Sequence, residues 1–157
     1  MIEGKTLGPV SVKKMGIDCS AWKAEASSVE SEKFEVSNAF DGNPFSLWQS
    51  KNKQKMPQYL GIDLGKTYTV TGFTYLPKQG ANKPEGMIEK AYIEVSQDGK
   101  KWQKVQDVKF GNIRNDPSLR EVLFDVPIRA RHFRITAMAG PLGSKNIGIA
   151  EIEILSK

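Results

Sequence analysis

A chain of 157 residues with 39% hydrophobic and 26% charged residues has the size and composition of one globular domain, able to bury a core without disulfide or metal staples. No apolar run approaches the ~20 residues of a membrane-spanning helix. The formal charge of +5 comes from lysines scattered along the chain, which argues against the clustered basic face that a nucleic-acid partner requires.

In chain order, residues 1–16 carry Gly4, Gly8, Pro9, Lys13, Lys14 and Gly16 and read as a leader or interdomain linker, with the domain proper expected over 17–157. Met1-Ile-Glu-Gly-Lys-Thr lacks the apolar stretch of a secretory signal, which leaves a protein that stays inside the cell or a piece of a longer exported parent, and the second reading is preferred. Cys19 is the sole cysteine, which rules out an internal disulfide. With one His beside that Cys, the common zinc ligand sets cannot be assembled without carboxylates. Asn38-Ala-Phe-Asp-Gly-Asn-Pro-Phe-Ser-Leu-Trp48 gathers oxygen-bearing residues around Gly42. That composition suits a cation-stabilised loop, and turn chemistry alone would also explain it.

Strand signals follow. Leu60, Ile62 and Leu64 alternate with Gly61 and Asp63, the period of a half-buried strand, and Gly65-Lys66 offers a turn. Tyr68 to Leu76 is rich in Thr, Val, Tyr and Phe, residues that suit a pleated surface. Residues 91–96 and 101–105 flank Gln97-Asp-Gly-Lys100 and predict a hairpin, because Asp-Gly readily takes positive φ. Residues 121–126, 131–137 and 147–155 are further strands, divided by Pro127 and by a loop over 140–146. Polar loops over 77–84 and 110–117 are places where binding residues sit on a rigid scaffold. Trp22, Trp48 and Trp102 read as packing residues, and His132 as a surface strand residue. Several short strands separated by turns mean a β-sandwich or barrel.

The Asn38–Trp48 segment, Tyr59-Leu-Gly-Ile-Asp-Leu-Gly65 and Ile149-Ala-Glu-Ile-Glu-Ile-Leu155 together resemble the coagulation factor 5/8 type C (discoidin-like) family, and within it the bacterial family 32 carbohydrate-binding modules. The resemblance implies an all-β fold: an antiparallel jelly-roll β-sandwich of about eight strands, of the galactose-binding-domain kind. It also implies a structural Ca2+ held by the Asp41 side chain, by oxygens of Asn38, Asn43 and Ser46, and by the Ala150 and Glu151 pair. A single cysteine departs from the disulfide-closed animal members and points to a bacterial type.

In galactose-binding members a His follows the Trp of the first motif, an Arg follows the Leu-Pro of the middle strand, and an Asn precedes a later Gly. The corresponding positions here resemble Gln49, Lys78 and Glu85, and all three depart from that pattern. A lysine offers a flexible point charge where arginine offers a rigid fork, and an ionised Glu accepts where an amide both donates and accepts. The pocket is therefore expected to prefer a sugar other than galactose, such as an N-acetylhexosamine or a charged glycan, or to have lost binding. Tyr75 and Leu142 are the expected exposed contacts.

Neither a Gly-x-Ser-x-Gly elbow nor a Walker loop is present, and scattered carboxylates do not by themselves make a glycosidase. The expectation is a monomeric, non-catalytic module that tethers a catalytic domain of the same parent chain, such as a β-hexosaminidase, fucosidase or galactosidase, to terminal sugars of glycans. Its place would be periplasmic, cell-surface or secreted. Two other readings remain open. A membrane- or protein-adhesion module would use Met56, Met87 and Leu142 as loop spikes, and a structural spacer would bind no ligand.

Overall fold

The computed structural model describes residues 2–3, 5–6, 16–80 and 85–157. Ten strands follow one another: β1 (Ile2–Glu3), β2 (Lys5–Thr6), β3 (Lys23–Ala26), β4 (Trp48–Gln49), β5 (Gln58–Leu76), β6 (Lys90–Ser96), β7 (Gln103–Lys109), β8 (Arg120–Ala139), β9 (Gly148–Ile149) and β10 (Glu151–Ser156). Short 3-10 turns cover Glu32–Phe34, Val36–Phe40 and Pro141–Gly143. Of the expected linker over 1–16, Met1, Gly4 and residues 7–15 lie outside the described residues, while β1 pairs with β7 and β2 with β8.

Two strands are long enough to serve both layers of a sandwich. The first half of β5 pairs with β3 and with the second half of β8, which continues into β6 and β7. The second half of β5 pairs with the first half of β8 and with β10. The hydrogen-bonded ladder is thus one eight-stranded sheet folded over as an antiparallel jelly-roll sandwich, and a separate β4–β9 pair closes one end. Among the described residues no helix is long and apolar enough to cross a membrane.

The bends correct two expectations. Gly65-Lys66 does not end a strand: β5 runs through it, and the register shifts between Asp63 and Tyr68. Gly65 has φ +90°, and a Cβ there would lie 3.0 Å from the Ala21 methyl, so glycine lets the strand turn from one layer to the other without stopping. Pro127 likewise sits inside β8, within the stretch 124–127 that a register shift leaves out of the β5 ladder. A residue without an N–H is tolerated at such a bulge.

Alternation along the strands fills the interior. Leu60, Ile62 and Leu64 of β5, Phe133 and Ile135 of β8, and Ile93 and Val95 of β6 are all buried. Phe73 meets Phe133 with ring centroids 5.5 Å apart, joining the two layers. Trp48 is wholly enclosed and its Nε1–H donates to the Ser28 carbonyl at 3.0 Å. Trp22 packs edge-on against Phe40 at 5.3 Å.

Candidate functional site

At the end of the sandwich closed by β4 and β9, three loop segments meet over two glycines. Gly86 has φ +81°, and a Cβ there would lie 2.9 Å from Gln49 Oε1, 3.1 Å from Lys78 Cδ and 3.4 Å from Leu47 Cδ1. A Cβ on Gly148 would lie 2.6 Å from the Trp48 carbonyl oxygen and 2.9 Å from that of Gly86. Lys78 Nζ donates to the Glu85 carbonyl at 3.0 Å. Gln49, distant in sequence from Lys78 and Glu85, therefore converges with them on one small surface. The Lys78 ammonium spends one of its three N–H groups on that contact.

The surroundings hold these segments in place. Asn146 is buried, and its Oδ1 accepts from the Gly86 N–H at 2.9 Å. Gln79 Nε2 donates to the carbonyls of Pro77 at 2.8 Å and Pro117 at 2.7 Å, which anchors the loop carrying Lys78. Arg120, 2% exposed, donates to the carbonyls of Ser118, Gly111 and Asp116 and so fixes the neighbouring loop over 111–118.

Tyr75 does not make an exposed contact. It is fully buried, donating from its hydroxyl to the Gly148 carbonyl at 2.9 Å and accepting from the Ile88 N–H at 3.0 Å. Burial pushes its phenol well above the usual range. At the end of β5, where residues 72–76 are all buried, Tyr75 lies beneath the site and props two of the converging segments. Leu142 is 74% exposed and holds a left-handed conformation with φ +56°, unusual for a side chain with a Cβ. The base of its loop is fixed by Ser144 Oγ donating to the Asn146 carbonyl at 3.0 Å, so Leu142 is on the loop whose end, Asn146, holds Gly86. Of the other expected spikes, Met87 is fully buried and Met56 packs partly against the core.

The Asn38–Ser46 loop is knit by its own polar groups. Asp41 accepts from the Asn43 N–H at 2.9 Å and from the Ser46 hydroxyl. Asn43 Oδ1 accepts from the Phe45 N–H at 2.9 Å. Asn38 Nδ2 donates to the carbonyls of Lys33 at 2.8 Å and Leu47 at 3.2 Å. Leu47 packs with Ala150, and β10, which begins at Glu151, lies against the 3-10 turn over Val36–Phe40. The loop and the start of the last strand therefore share one region. Among the described residues no three His, Cys, Asp or Glu side chains gather as a metal cluster. A cation here would rest on carbonyl, hydroxyl and at most two carboxylate groups, a hard oxygen set that fits Ca2+ better than zinc.

Asn146 and Gly86 were not singled out by sequence. Their signal was an Asn closing the 140–146 loop and a Gly directly after Glu85, and neither shows its partner until the chain is folded. Phe45, 75% exposed inside the Asn38–Trp48 loop, was also overlooked. An aromatic in an otherwise polar turn was the available clue.

Comparison with known proteins identifies the family. Residues 23–152 match the F5/8 type C domain family. The family 32 carbohydrate-binding module of NanJ from Clostridium perfringens, solved in complex with galactose, superposes with a TM-score of 0.77 at 29% identity, over 89% of this chain and 97% of that one. A further module, CBM32-3 from a family 31 glycoside hydrolase of the same organism, gives a TM-score of 0.79 at 26% identity, over 91% of this chain and 96% of that one. A sialidase from Micromonospora viridifaciens is 29% identical over 76% of this chain, which spans 18% of the sialidase's length.

Proposed function

The chain belongs to the F5/8 type C domain family, and from that premise we propose that it is a non-catalytic carbohydrate-binding module, an accessory domain that tethers a glycoside hydrolase to terminal sugars of glycans. The observation that carries this reading is the convergence of Gln49, Lys78 and Glu85 on Gly86 at one end of the sandwich. A sugar hydroxyl both donates and accepts. The cluster offers N–H donors from Lys78, an amide from Gln49 and, on the residue whose carbonyl Lys78 holds, the Glu85 carboxylate, while the exposed Leu142 is on the loop that ends at Asn146. Similarity to a module solved with galactose, and to one from a glycoside hydrolase, supports both the ligand class and the accessory role.

Lys78 cannot supply a rigid bidentate fork, so a grip on two neighbouring hydroxyls is weaker than an arginine would give. Weak monovalent binding still serves a tethered enzyme, because attachment raises the local concentration of substrate. The sugar preferred is an N-acetylhexosamine ahead of galactose. The oxygens of Asn38, Asp41, Asn43, Ser46, Ala150 and Glu151 hold a structural Ca2+ in this proposal. The module works as a monomer, outside the bacterial cell or at its surface, within a longer parent chain.

A titration of ¹⁵N-labelled protein with galactose, N-acetylgalactosamine, N-acetylglucosamine and fucose tests the reading. Amide shifts clustered at Gln49, Lys78, Gly86 and Asn146 are expected at millimolar sugar. Silence of that cluster toward all four sugars would overturn terminal-sugar recognition.

A further inference from the structure

We propose a second saccharide site on the outer face of the sheet, centred on Trp102 and able to hold a neutral oligosaccharide of at least two residues. It stands on residues other than Gln49, Lys78 and Glu85 and does not depend on the loop-end site. A groove of about 370 Å³ is lined by Lys23 and Glu25 of β3, Gly61 and Asp63 of β5, His132 and Arg134 of β8, and the β6–β7 turn with Trp102. That volume is within the range of small-ligand sites.

The register explains how the groove forms. Glu25 pairs with Gly61, Gly61 with Arg134, and Arg134 with Glu94, so these positions cross four strands on one face. Gly61 has no side chain to fill the floor, and the Glu25 stem and carbonyl oxygen lie no nearer than 3.9 Å from where a Cβ would be. The turn forms the wall. Gly99, with φ +75°, lies flat on the His132 ring, 3.1 Å from its would-be Cβ to Cε1. Asp98 accepts from the backbone N–H groups of Lys100 at 2.8 Å and Lys101 at 2.9 Å. The wall is thus built before any ligand arrives.

Trp102 supplies the platform. The Arg134 guanidinium sits 4.0 Å from the centre of its ring and 5.5 Å from that of Tyr59, and both Nε and Nη2 of Arg134 donate to Glu94 Oε1 at 3.0 and 2.7 Å. His132 meets the indole edge-on at 6.2 Å. Among the described residues no hydrogen bond engages the Trp102 Nε1–H or the His132 ring nitrogens, and neither Glu25 nor Lys100 enters a salt bridge. Donors and acceptors left over beside an aromatic ring suit hydroxyl groups on a sugar, which need both.

Charge decides against other ligands. The lining carries Lys23, Lys100 and Arg134 against Glu25, Asp63 and Asp98, a balance that attracts neither anions nor cations. Those carboxylates would repel a phosphate backbone. The length of the ligand follows from a second cleft of about 340 Å³ that shares Trp102 and Asp98 with the first and continues toward Gln103 and Arg129. A chain of two or more sugar units can cross the indole from one cleft into the other, and a monosaccharide fills only one.

The test follows the Trp102 indole N–H and the amides of Gly61, Gly99 and Lys100 in ¹⁵N-labelled protein during titration with cellotetraose, xylotetraose, β-1,4-galactotetraose and galactose. The expected result is a set of shifts at these four residues with at least one tetrasaccharide and much smaller ones with galactose. Trp102→Ala and, independently, Glu25→Ala should weaken that response by at least about tenfold, while Lys78→Ala leaves it intact. Glu25 is exposed, so its variant folds even if removal of the indole is disruptive. An unmoved Trp102 indole signal across the tetrasaccharides, or a response unchanged in Glu25→Ala, would overturn the site. Silence at Gly86 and Asn146 instead would count against the loop-end reading.

Discussion

Asn146 holds its amide oxygen 2.9 Å from the Gly86 N–H, and both groups are buried. Removing the acceptor leaves a buried donor without a partner, which costs about 1–3 kcal/mol. Asn146→Ala should therefore lower the unfolding free energy by that amount and also weaken sugar binding, because Gly86 is the point on which Gln49 and Lys78 converge. Lys78→Ala separates the two roles. Its tie to the Glu85 carbonyl is at the surface, so stability should change by no more than about 0.5 kcal/mol while sugar affinity falls. Denaturant melts of both variants beside a sugar titration check this. If Lys78→Ala melted as early as Asn146→Ala, Lys78 would be a structural tie and not a ligand contact.

The β6–β7 hairpin shows how one turn serves an element and a surface together. The Asp98 carboxyl is pulled down to about 2, first by the backbone N–H of Lys101, then by that of Lys100 and the Ser96 hydroxyl. A group whose folded pKa is depressed contributes stability above its unfolded value, and loses it as pH falls through the folded one. The contribution of Asp98 should therefore be complete above the ordinary carboxylate value of 3.8 and gone by about 2. Carbonyl ¹³C titration of Asp98 should give a midpoint near 2, with amide exchange at Lys100 and Lys101 rising over the same interval. A midpoint at the ordinary value would mean that the turn does not hold the carboxylate. Sequence showed this hairpin plainly, since Asp-Gly between two apolar-alternating runs has few other solutions. It did not show that the Gly99 turn lies on His132, because the two are joined only through strand register.

At the scale of the molecule, what was legible follows the range of the interactions. Alternation of Leu60, Ile62 and Leu64 is local and predicted an inward face that the fold has. The continuity of β5 through Gly65 and of β8 through Pro127 was hidden, because glycine and proline end most strands and only the two-layer topology makes them bends. Gln49, Lys78 and Glu85 came through resemblance and their convergence only through the fold, and the burial of Tyr75 escaped notice because the strand shifts register before it and is buried on both faces over 72–76, which a simple alternation does not predict. The loop over 38–46 and the start of β10 pose the same long-range problem, as they belong to opposite ends of the domain and meet through Leu47 and Ala150. A Ca2+ bound there would act only on the folded chain, stabilising it by about 2.7 kcal/mol at a hundredfold excess over its Kd. For a domain of this size that is a rise in Tm of about 5–10 °C. Adding calcium to chelator-treated protein should produce this rise in a thermal scan. Magnesium should not, since it demands a tighter octahedral shell and keeps its water. Asp41→Ala and Glu151→Ala should each remove the calcium-dependent part. Equal melting in chelator and in calcium would refute the cation, and Asp41→Ala would then lower Tm equally in both buffers, because its bonds to the Asn43 N–H and the Ser46 hydroxyl would be all that it contributes.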